Sequence, residues 1–260
     1  MNKVKRERNY SLDIVRIFAL FCVVSVHFFL RNNFYGEIIQ GKTLFASTII
    51  RSFFMICVPL FLILSGYLSN KKEPTKSYFI GIKKVIIQYL ICSLINFAFC
   101  LIYFKTKFSL YNLFFGMFNY TNARYAWYVE MYLGLYLLIP FLNVVYNNLK
   151  TKKDKQTLLI VLIITTILPS IGSIFNFKMV NIFSAKVPSE KLLPTYWVNF
   201  YPITYYFVGC YLNEFKINMS KIKNVIYIIL STLVFGVVSI LVNYKNLFSW
   251  NLYQSYGSLF

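Results

Sequence analysis

Residues 11 to 31 of the chain read SLDIVRIFALFCVVSVHFFLR, and this stretch decides the fold class. Between Ile14 and Leu30 nearly every residue is apolar, so the length is close to the roughly 20 residues with which an α-helix crosses a bilayer. Two ionisable groups interrupt it, Arg16 and His27, and His27 is the only histidine of the protein. Because ionisable groups are costly in lipid, the stretch predicts a membrane-spanning helix with two functional candidates.

The composition extends this interpretation to the whole chain. Of its 260 residues, 58% are hydrophobic and only 13% are charged, against about 25% charged in an ordinary soluble domain. Several separate apolar runs approach span length, which argues against a very hydrophobic soluble core. We therefore expect an all-α, polytopic integral membrane helical bundle that forms one domain over residues 1–260. The predicted spans lie near 14–30, 52–69, 85–104, 125–146, 157–175, 196–213 and 225–243, with a re-entrant or interfacial segment at 108–120.

The charge pattern predicts the topology. The net charge is +19, but the 27 basic residues are spread among the ends of the apolar runs, which argues against a nucleic-acid partner. Placing the N-terminus in the cytosol puts most of them on the inner side, as the positive-inside rule requires. The five cysteines show neither a CxxC pair nor a spaced Cys/His set. We expect neither a disulfide framework nor a metal site.

Arg16 and His27 share one side of the predicted first helix. Eleven residues at about 100° each bring the two side chains to within about 20° of each other. Asp13 stands three residues before Arg16, which suits an i,i+3 ion pair, and Ser11 is available as an N-cap. Taken alone, Arg16 is more simply explained as an interfacial anchor, and Asp13 as a favourable charge in a first helical turn. For His27 the alternatives are a functional group and an interhelical hydrogen bond.

A second acidic candidate is Glu130, in the stretch WYVEMYLGLYLLIP. It follows Trp127 by three residues, so the two share a face, and the predicted topology gives it roughly the depth of His27. A carboxylate that orients a histidine nitrogen is a recurring device of general-base catalysis. The alternatives are an interfacial ion pair between Glu130 and Arg124, and a place for Trp127 in an aromatic belt.

Four stretches in the right order resemble one protein family. The pair Arg16 and His27, with ten residues between them after the start LDIVR, resembles the acyltransferase family three of membrane O-acyltransferases. The stretches VPLFLILSGYLSNKK (58–72), WYVEMYLGLYLLIP (127–140) and NFYPITYYFVGCYL (199–212) look like later spans of that family. The last is similar to a segment in relatives that acetylate surface polysaccharides.

This resemblance implies transfer of an acyl group, usually acetyl, from cytosolic acetyl-CoA to a hydroxyl of a cell-surface glycan or of its lipid-linked precursor. It also implies a multi-pass protein of the plasma membrane that uses no metal. Arg16 and His27 are carried over as the essential residues, and Glu130 is added as a third catalytic candidate. The family usually has ten spans with both ends in the cytosol, so seven predicted spans suggest that the last three are lacking. In that case the side of the first helix that carries Arg16 and His27 is expected to be partly uncovered.

The chemistry assigns further roles. Within hydrogen-bond reach, neutral His27 can take the proton of a sugar hydroxyl as it attacks the thioester, or it can carry the acetyl group itself. Coenzyme A brings several phosphate charges, and the basic residues predicted to lie in the cytosol can attract them. The candidates for binding this co-substrate are Arg16, Lys71, Lys72, Lys83 and Lys84, and the candidates for substrate contact are Trp127 and Tyr67.

Two other function classes stay open at this point. In each of them, as in an acyltransferase, the protein is expected to contact membrane lipid. Intramembrane arginine, histidine and glutamate also mark the substrate paths of a transporter, a flippase or a glycan polymerase. Against a transporter stand the absence of a visible internal repeat and the gathering of polar groups on one helix. A non-catalytic membrane partner is the other alternative.

Overall fold

The structure is a computed structural model that describes residues 9–107, 109–122, 126–170, 194–248 and 256–257. Over these ranges the chain is helical, and the β-interaction found there is one isolated antiparallel bridge between Ile38 and Leu247. The all-α fold expected from the sequence is confirmed. The helices are α1 (Tyr10–Arg31), α2 (Gly41–Phe54), α3 (Cys57–Ser69), α4 (Lys76–Tyr103), α5 (Leu110–Phe118), α6 (Trp127–Asn148), α7 (Lys152–Leu162), α8 (Tyr201–Glu214) and α9 (Lys221–Asn243).

Five helical segments of the described chain are long and apolar enough to cross a membrane. They are Tyr10–Arg31, Gly41–Ser69, Lys76–Tyr103, Trp127–Asn148 and Lys221–Asn243, and each overlaps one of the predicted spans. The predicted span 196–213 corresponds to α8, which has 14 residues. The predicted span 157–175 corresponds to α7 and a π-helical turn (Ile163–Ile167), and its residues 171–175 lie outside the described ranges.

The predicted re-entrant or interfacial segment contains a short helix. Of residues 108–120, α5 takes nine, Leu110–Phe118. At 1.5 Å per residue this helix is about 14 Å long, which is about half the thickness of the hydrocarbon core. It is therefore too short to cross.

The start of α1 differs from the expectation in one detail. The N-cap is Asn9, whose side-chain oxygen accepts hydrogen bonds from the amides of Ser11 and Leu12 at 3.1 and 3.4 Å. Ser11 was the predicted cap, but the helix begins at Tyr10, so Ser11 already lies in the first turn. Four other helices, α4, α5, α7 and α9, start at residues whose hydroxyl groups cap them, Thr75, Ser109, Thr151 and Ser220.

The second predicted span consists of two helices and begins earlier than expected. The apolar helical segment starts at Gly41 and breaks between Phe54 and Cys57, where α3 begins. The break agrees with Pro59, which has no N–H to donate to the carbonyl of Met55 and fits best in a first helical turn. One consequence is that Arg51, which the sequence placed just before a span, lies within the helical segment.

The chain forms two compact units, residues 1–68 with 151–260, and residues 69–150. The first unit contains α1 to α3 and α7 to α9, and its most extensive helix pair is α2 with α9. At Gly236 of α9 a Cβ would lie 2.7 Å from Ile49 of α2, so a glycine permits the close approach. In the second unit, α4 packs against both α5 and α6.

Candidate functional site

The ionisable groups of α1 lie along one side of an unbroken helix. Arg16 and His27 are eleven residues apart, which places them about 20° from each other around the axis. The Arg16 Nη1 donates to Asp13 Oδ1 at 2.6 Å, so the predicted i,i+3 ion pair is confirmed. Arg31 follows His27 by four residues and adds a second cation to this side. We call Asp13, Arg16, His27 and Arg31 the polar stripe.

The polar stripe stands beside the packed face of α1. The packed face consists of Ala19, Cys22, Val26 and Phe29, whose mean direction is about 110° from that of Arg16 and His27. In agreement, the side chain of Arg16 is 46% exposed, and His27 is partly buried. The stripe therefore lies at the margin of the packing within the first unit, where it is not fully covered.

Glu130 and Trp127 lie in the first turn of α6, in the second unit, whereas His27 belongs to the first. Both side chains are exposed. Burial raises the pKa of Tyr120, and the neighbouring Tyr89 and the Glu130 carboxylate raise it further. A carboxylate in a first helical turn is also favourable to the helix itself. The proposed ion-pair partner of Glu130, Arg124, lies outside the described residues.

Two of the predicted coenzyme-binding lysines line a cavity in the second unit. The cavity has a volume of about 410 Å³. Six of its lining residues have hydroxyl or charged side chains, and two tyrosine rings form its aromatic part. The lining residues are Ser69, Lys71, Lys72, Glu73, Thr75, Ser77, Tyr78 and Tyr136. A concave surface with two ammonium groups and several hydroxyls suits a ligand that carries phosphate.

Hydrogen bonds to the backbone hold this cavity in shape. Asn143 of α6 donates through Nδ2 to the carbonyls of Ser69 and Lys72, at 2.7 and 2.8 Å. The rings of Tyr78 and Tyr136 are stacked with centroids 4.6 Å apart. Each hydroxyl donates to the backbone carbonyl of the other tyrosine, at 2.6 and 3.0 Å. The loop that carries the two lysines is therefore tied to α6 as well as to α4.

Lys83 and Lys84 lie further along α4. Both are exposed, and neither belongs to the lining of the cavity. The structure thus separates the four lysines that the sequence grouped as one candidate set. Lys71 and Lys72 share a cavity, while Lys83 and Lys84 form an exposed basic surface on the next helix.

Tyr67 lies where α3 crosses α8. A Cβ at Gly66 would overlap the carbonyl oxygen of Tyr206, and a Cβ at Gly209 would overlap that of Ile63. The two helices therefore meet backbone to backbone through a reciprocal pair of glycines. Next to this crossing Asn213 Nδ2 donates to the carbonyl of Tyr67 at 2.9 Å. Two stretches that resemble different spans of the family are in this way fixed against each other.

Sequence reasoning missed Arg51 as a candidate. Its side chain is fully buried, and its Nε donates to Tyr35 Oη at 3.1 Å. The guanidinium carbon lies 4.5 Å from the ring centroid of Phe248. The available signal was an arginine inside the apolar stretch TLFASTIIRSFFMICVPL (43–60), but the predicted span began one residue after it.

A second missed feature is an ion pair in the first unit. Lys155 of α7 contacts both carboxylate oxygens of Glu214 in α8, at 2.6 and 2.8 Å. The lysine side chain is 7% exposed and the glutamate side chain 40% exposed. Lys155 therefore joins two helices, whereas in the sequence its charge served only to predict the topology.

The comparison with protein families agrees with these observations. The family model of acyltransferase family 3, described as an acyltransferase domain, matches residues 9–260. The match spans the polar stripe, the cavity and the crossing of α3 with α8. No curated protein and no solved structure gives a significant match. The chain therefore belongs to acyltransferase family 3 and is a membrane acyltransferase.

Proposed function

We propose that the protein transfers an acetyl group from cytosolic acetyl-CoA to a hydroxyl of a cell-surface glycan or of its lipid-linked precursor, at the plasma membrane. The observation that carries the proposal is the placement of Arg16 and His27 on one accessible side of α1, in a member of an acyltransferase family. The donor, the acceptor and the location are what the resemblance of the chain to this family implies, and they go beyond the family match itself.

His27 is the proposed catalytic residue. A neutral imidazole can take the proton of a sugar hydroxyl while the hydroxyl oxygen attacks the thioester carbonyl. The new carbon–oxygen bond forms, the carbon–sulfur bond breaks, and the proton passes to the departing thiolate. In the alternative route the imidazole attacks the thioester carbonyl and releases the thiolate, which gives an acyl-imidazole. The oxygen of the sugar hydroxyl then attacks the acyl carbon, the bond from that carbon to the imidazole nitrogen breaks, and the hydroxyl proton passes to the thiolate. Both routes need the same side chain at the same place.

Arg16 is proposed to bind the donor and to stay oriented through Asp13. One of its five N–H donors is used by the Asp13 carboxylate. The remaining donors of the planar guanidinium can grip a phosphate in a bidentate manner. Its exposure of 46% is compatible with this role.

The cavity of the second unit is proposed to hold phosphate groups of the donor. Lys71 and Lys72 supply the charge, and the start of α4 adds the positive end of a helix dipole. The exposed Lys83 and Lys84 are proposed to attract the donor to this surface. Glu130 is kept as a proposed partner in catalysis, and Trp127 and Tyr67 as proposed substrate contacts.

Membranes that contain the protein, supplied with labelled acetyl-CoA, test the proposal. We expect label in the glycan fraction with the natural chain and none above background with His27→Ala. The matched control is Ser25→Ala on the same helix, because the Ser25 hydroxyl already donates to the Phe21 carbonyl at 2.9 Å. Equal incorporation by His27→Ala and the control contradicts the assigned role of His27. Absence of label with the natural chain contradicts the donor or the acceptor.

The cavity has its own test. Replacing Lys71 and Lys72 together by glutamine is expected to raise the KM for acetyl-CoA about tenfold, since each partly exposed charge contact contributes about 0.5–1 kcal/mol. The control replaces Lys221 and Lys223 at the start of α9, which are equally exposed but line no described cavity. An equal rise in the KM for acetyl-CoA in both double variants means that the effect comes from the overall positive charge and not from the cavity.

The cytosolic N-terminus predicts the side from which the loops are accessible. In a background without the native thiols, Lys71→Cys and Lys152→Cys are expected to react with a membrane-impermeant thiol reagent only from the inner side of the membrane. Reaction from the outer side at either position overturns the proposed topology.

A further inference from the structure

Arg51 is an arginine enclosed by aromatic rings in the middle of an apolar helical segment. Its accessible surface is 0%, within the segment Gly41–Ser69 that is apolar enough to span a membrane. A guanidinium keeps its charge in proteins, and burying a charge is costly unless hydrogen bonds and other contacts compensate. Such a residue therefore needs a reason that hydrophobic packing alone does not supply.

The contacts of Arg51 join three parts of the first unit. Through Nε it donates to Tyr35, which lies in the 3₁₀ turn directly after α1. Its guanidinium covers the ring of Phe248, in the segment after α9. Backbone bonds fasten the same region, because the Ile39 amide donates to the Asn246 carbonyl at 2.9 Å and the Lys245 amide donates to the Ile39 carbonyl at 3.1 Å.

An aromatic chain continues from Arg51 to the end of α1. The Phe248 ring lies 5.2 Å from that of Phe34, and the Phe34 ring lies 5.3 Å from that of Phe29. Phe29 is a buried residue of the packed face of α1, two positions after His27. The last turn of α1 is thus connected through the Phe34 ring to Phe248, one of the two rings that contact Arg51.

We propose that Arg51 is a positioning residue, which fixes the imidazole of His27 by clamping the turn after α1 against α2 and the segment after α9. Its catalytic consequence rests on the proposed function, whereas the geometric statement does not. Because its side chain has no exposed surface, Arg51 is assigned no contact with substrate. A hydrophobic residue in its place fills volume, but it offers neither a donor to Tyr35 nor a cation to the face of Phe248.

Because His27 is the only histidine, the rate of histidine modification by diethyl pyrocarbonate reports directly on the surroundings of this imidazole. The reaction rate is measured as a function of pH on purified, folded protein for the natural chain, Arg51→Gln, Arg51→Lys and Tyr35→Phe. The control is Lys245→Gln, which removes an exposed cation that lies 5.5 Å from the ring of Tyr244 in the same connection. The kinetic constants for acetyl-CoA are measured on the same samples.

We expect Arg51→Gln to change the rate or the pH profile of His27 modification beyond the range of the natural chain and the control. The same variant is expected to lower kcat about tenfold to a hundredfold, because small misplacements of a catalytic group have effects of this size. The KM for acetyl-CoA stays unchanged. Arg51→Lys is expected to show His27 reactivity and a kcat between those of the natural chain and Arg51→Gln, since lysine keeps the charge and loses the planar fork.

A role in stability alone lowers the amount of folded protein and leaves both His27 reactivity and kcat of the folded fraction unchanged, and that result overturns the proposal. If Arg51→Gln does not fold, Tyr35→Phe decides in the same way, because it removes only the hydroxyl that accepts from Arg51. If the natural chain transfers no acetyl group, the proposed function fails, while the modification rates still decide whether Arg51 positions His27.

Discussion

Two arginines occupy apolar helices of the same unit and have opposite surroundings. Arg16 on α1 is 46% exposed and pairs with Asp13 within its own helix. Arg51 on α2 has no exposed surface and contacts Tyr35 and Phe248, which are distant in sequence. The guanidinium of Arg16 keeps N–H donors exposed, whereas the guanidinium of Arg51 makes its contacts within the protein.

We infer from this difference that exposure distinguishes the proposed binding arginine, Arg16, from the proposed positioning arginine, Arg51, better than sequence context does. Both residues interrupt apolar runs, and both read as membrane anchors when taken alone. Only the partners distinguish them, since a local carboxylate leaves the guanidinium at the margin of the packing and an aromatic enclosure removes it from solvent. The four predictions below test this contrast.

The largest effect is expected at His27, which lies on the same side of α1 as the partly exposed Arg16. His27→Gln keeps a polar side chain of similar size but offers no base, so turnover should fall about a hundredfold to ten-thousandfold, the range that general-base catalysis contributes. Initial rates with labelled acetyl-CoA measure this. Partial recovery with added imidazole supports the base role, and unchanged turnover contradicts it.

The next effect concerns the stability of the buried arginine. Arg51→Ala leaves a cavity among aromatic rings and should lower the free energy of unfolding by about 2–5 kcal/mol, as large-to-small core substitutions do. Arg16→Ala should cost less than about 1 kcal/mol, because its ion pair is partly exposed. Denaturation in one detergent compares the two variants. Equal losses remove the contrast between the two sites.

Arg16→Lys tests the accessible arginine as a ligand group. Lysine keeps the charge but not the planar fork, so the KM for acetyl-CoA should rise about tenfold, which corresponds to about 1.4 kcal/mol. Steady-state kinetics over a range of acetyl-CoA concentrations measure this. An unchanged KM returns Arg16 to the role of an interfacial anchor.

The smallest effect is expected at Asp13. Asp13→Asn removes the charge that pairs with Arg16 in an i,i+3 contact, so the free energy of unfolding should change by less than about 0.5 kcal/mol. The same denaturation assay applies. A loss several times larger means that the pair is shielded from solvent and that Arg16 resembles Arg51 more than its exposure indicates.

The local sequence pattern correctly predicted the features that depend on one helix at a time. The length and polarity of the apolar runs are sufficient for the all-α membrane fold, and the five spanning segments overlap predicted spans. The helical period places Arg16, His27 and Asp13 on one side without any tertiary information. The cap of α1 was assigned to Ser11 instead of Asn9 because both residues can cap and a boundary is uncertain by one or two positions.

Lys71 and Lys72 line a cavity that the local sequence pattern does not predict. The sequence grouped them with Lys83 and Lys84 because all four are basic and close in the chain. The cavity depends on α6, where Asn143 donates to the loop carbonyl of Ser69 and Tyr136 forms part of the wall, and no period within α4 encodes these contacts. A shared charge therefore predicts a common side of the membrane and leaves the binding surface undetermined.

By itself, the sequence determined that this chain is a helical membrane protein of an acyltransferase family with a polar stripe on its first helix, because hydrophobic length, helical period and motif order are properties of contiguous residues. Tertiary structure alone decided that Gly66 meets the backbone of α8, that Lys155 pairs with Glu214, and that Arg51 lies among aromatic rings. These contacts join residues far apart in the chain. Their energies come from close packing and desolvation, which depend on partners that no local pattern names.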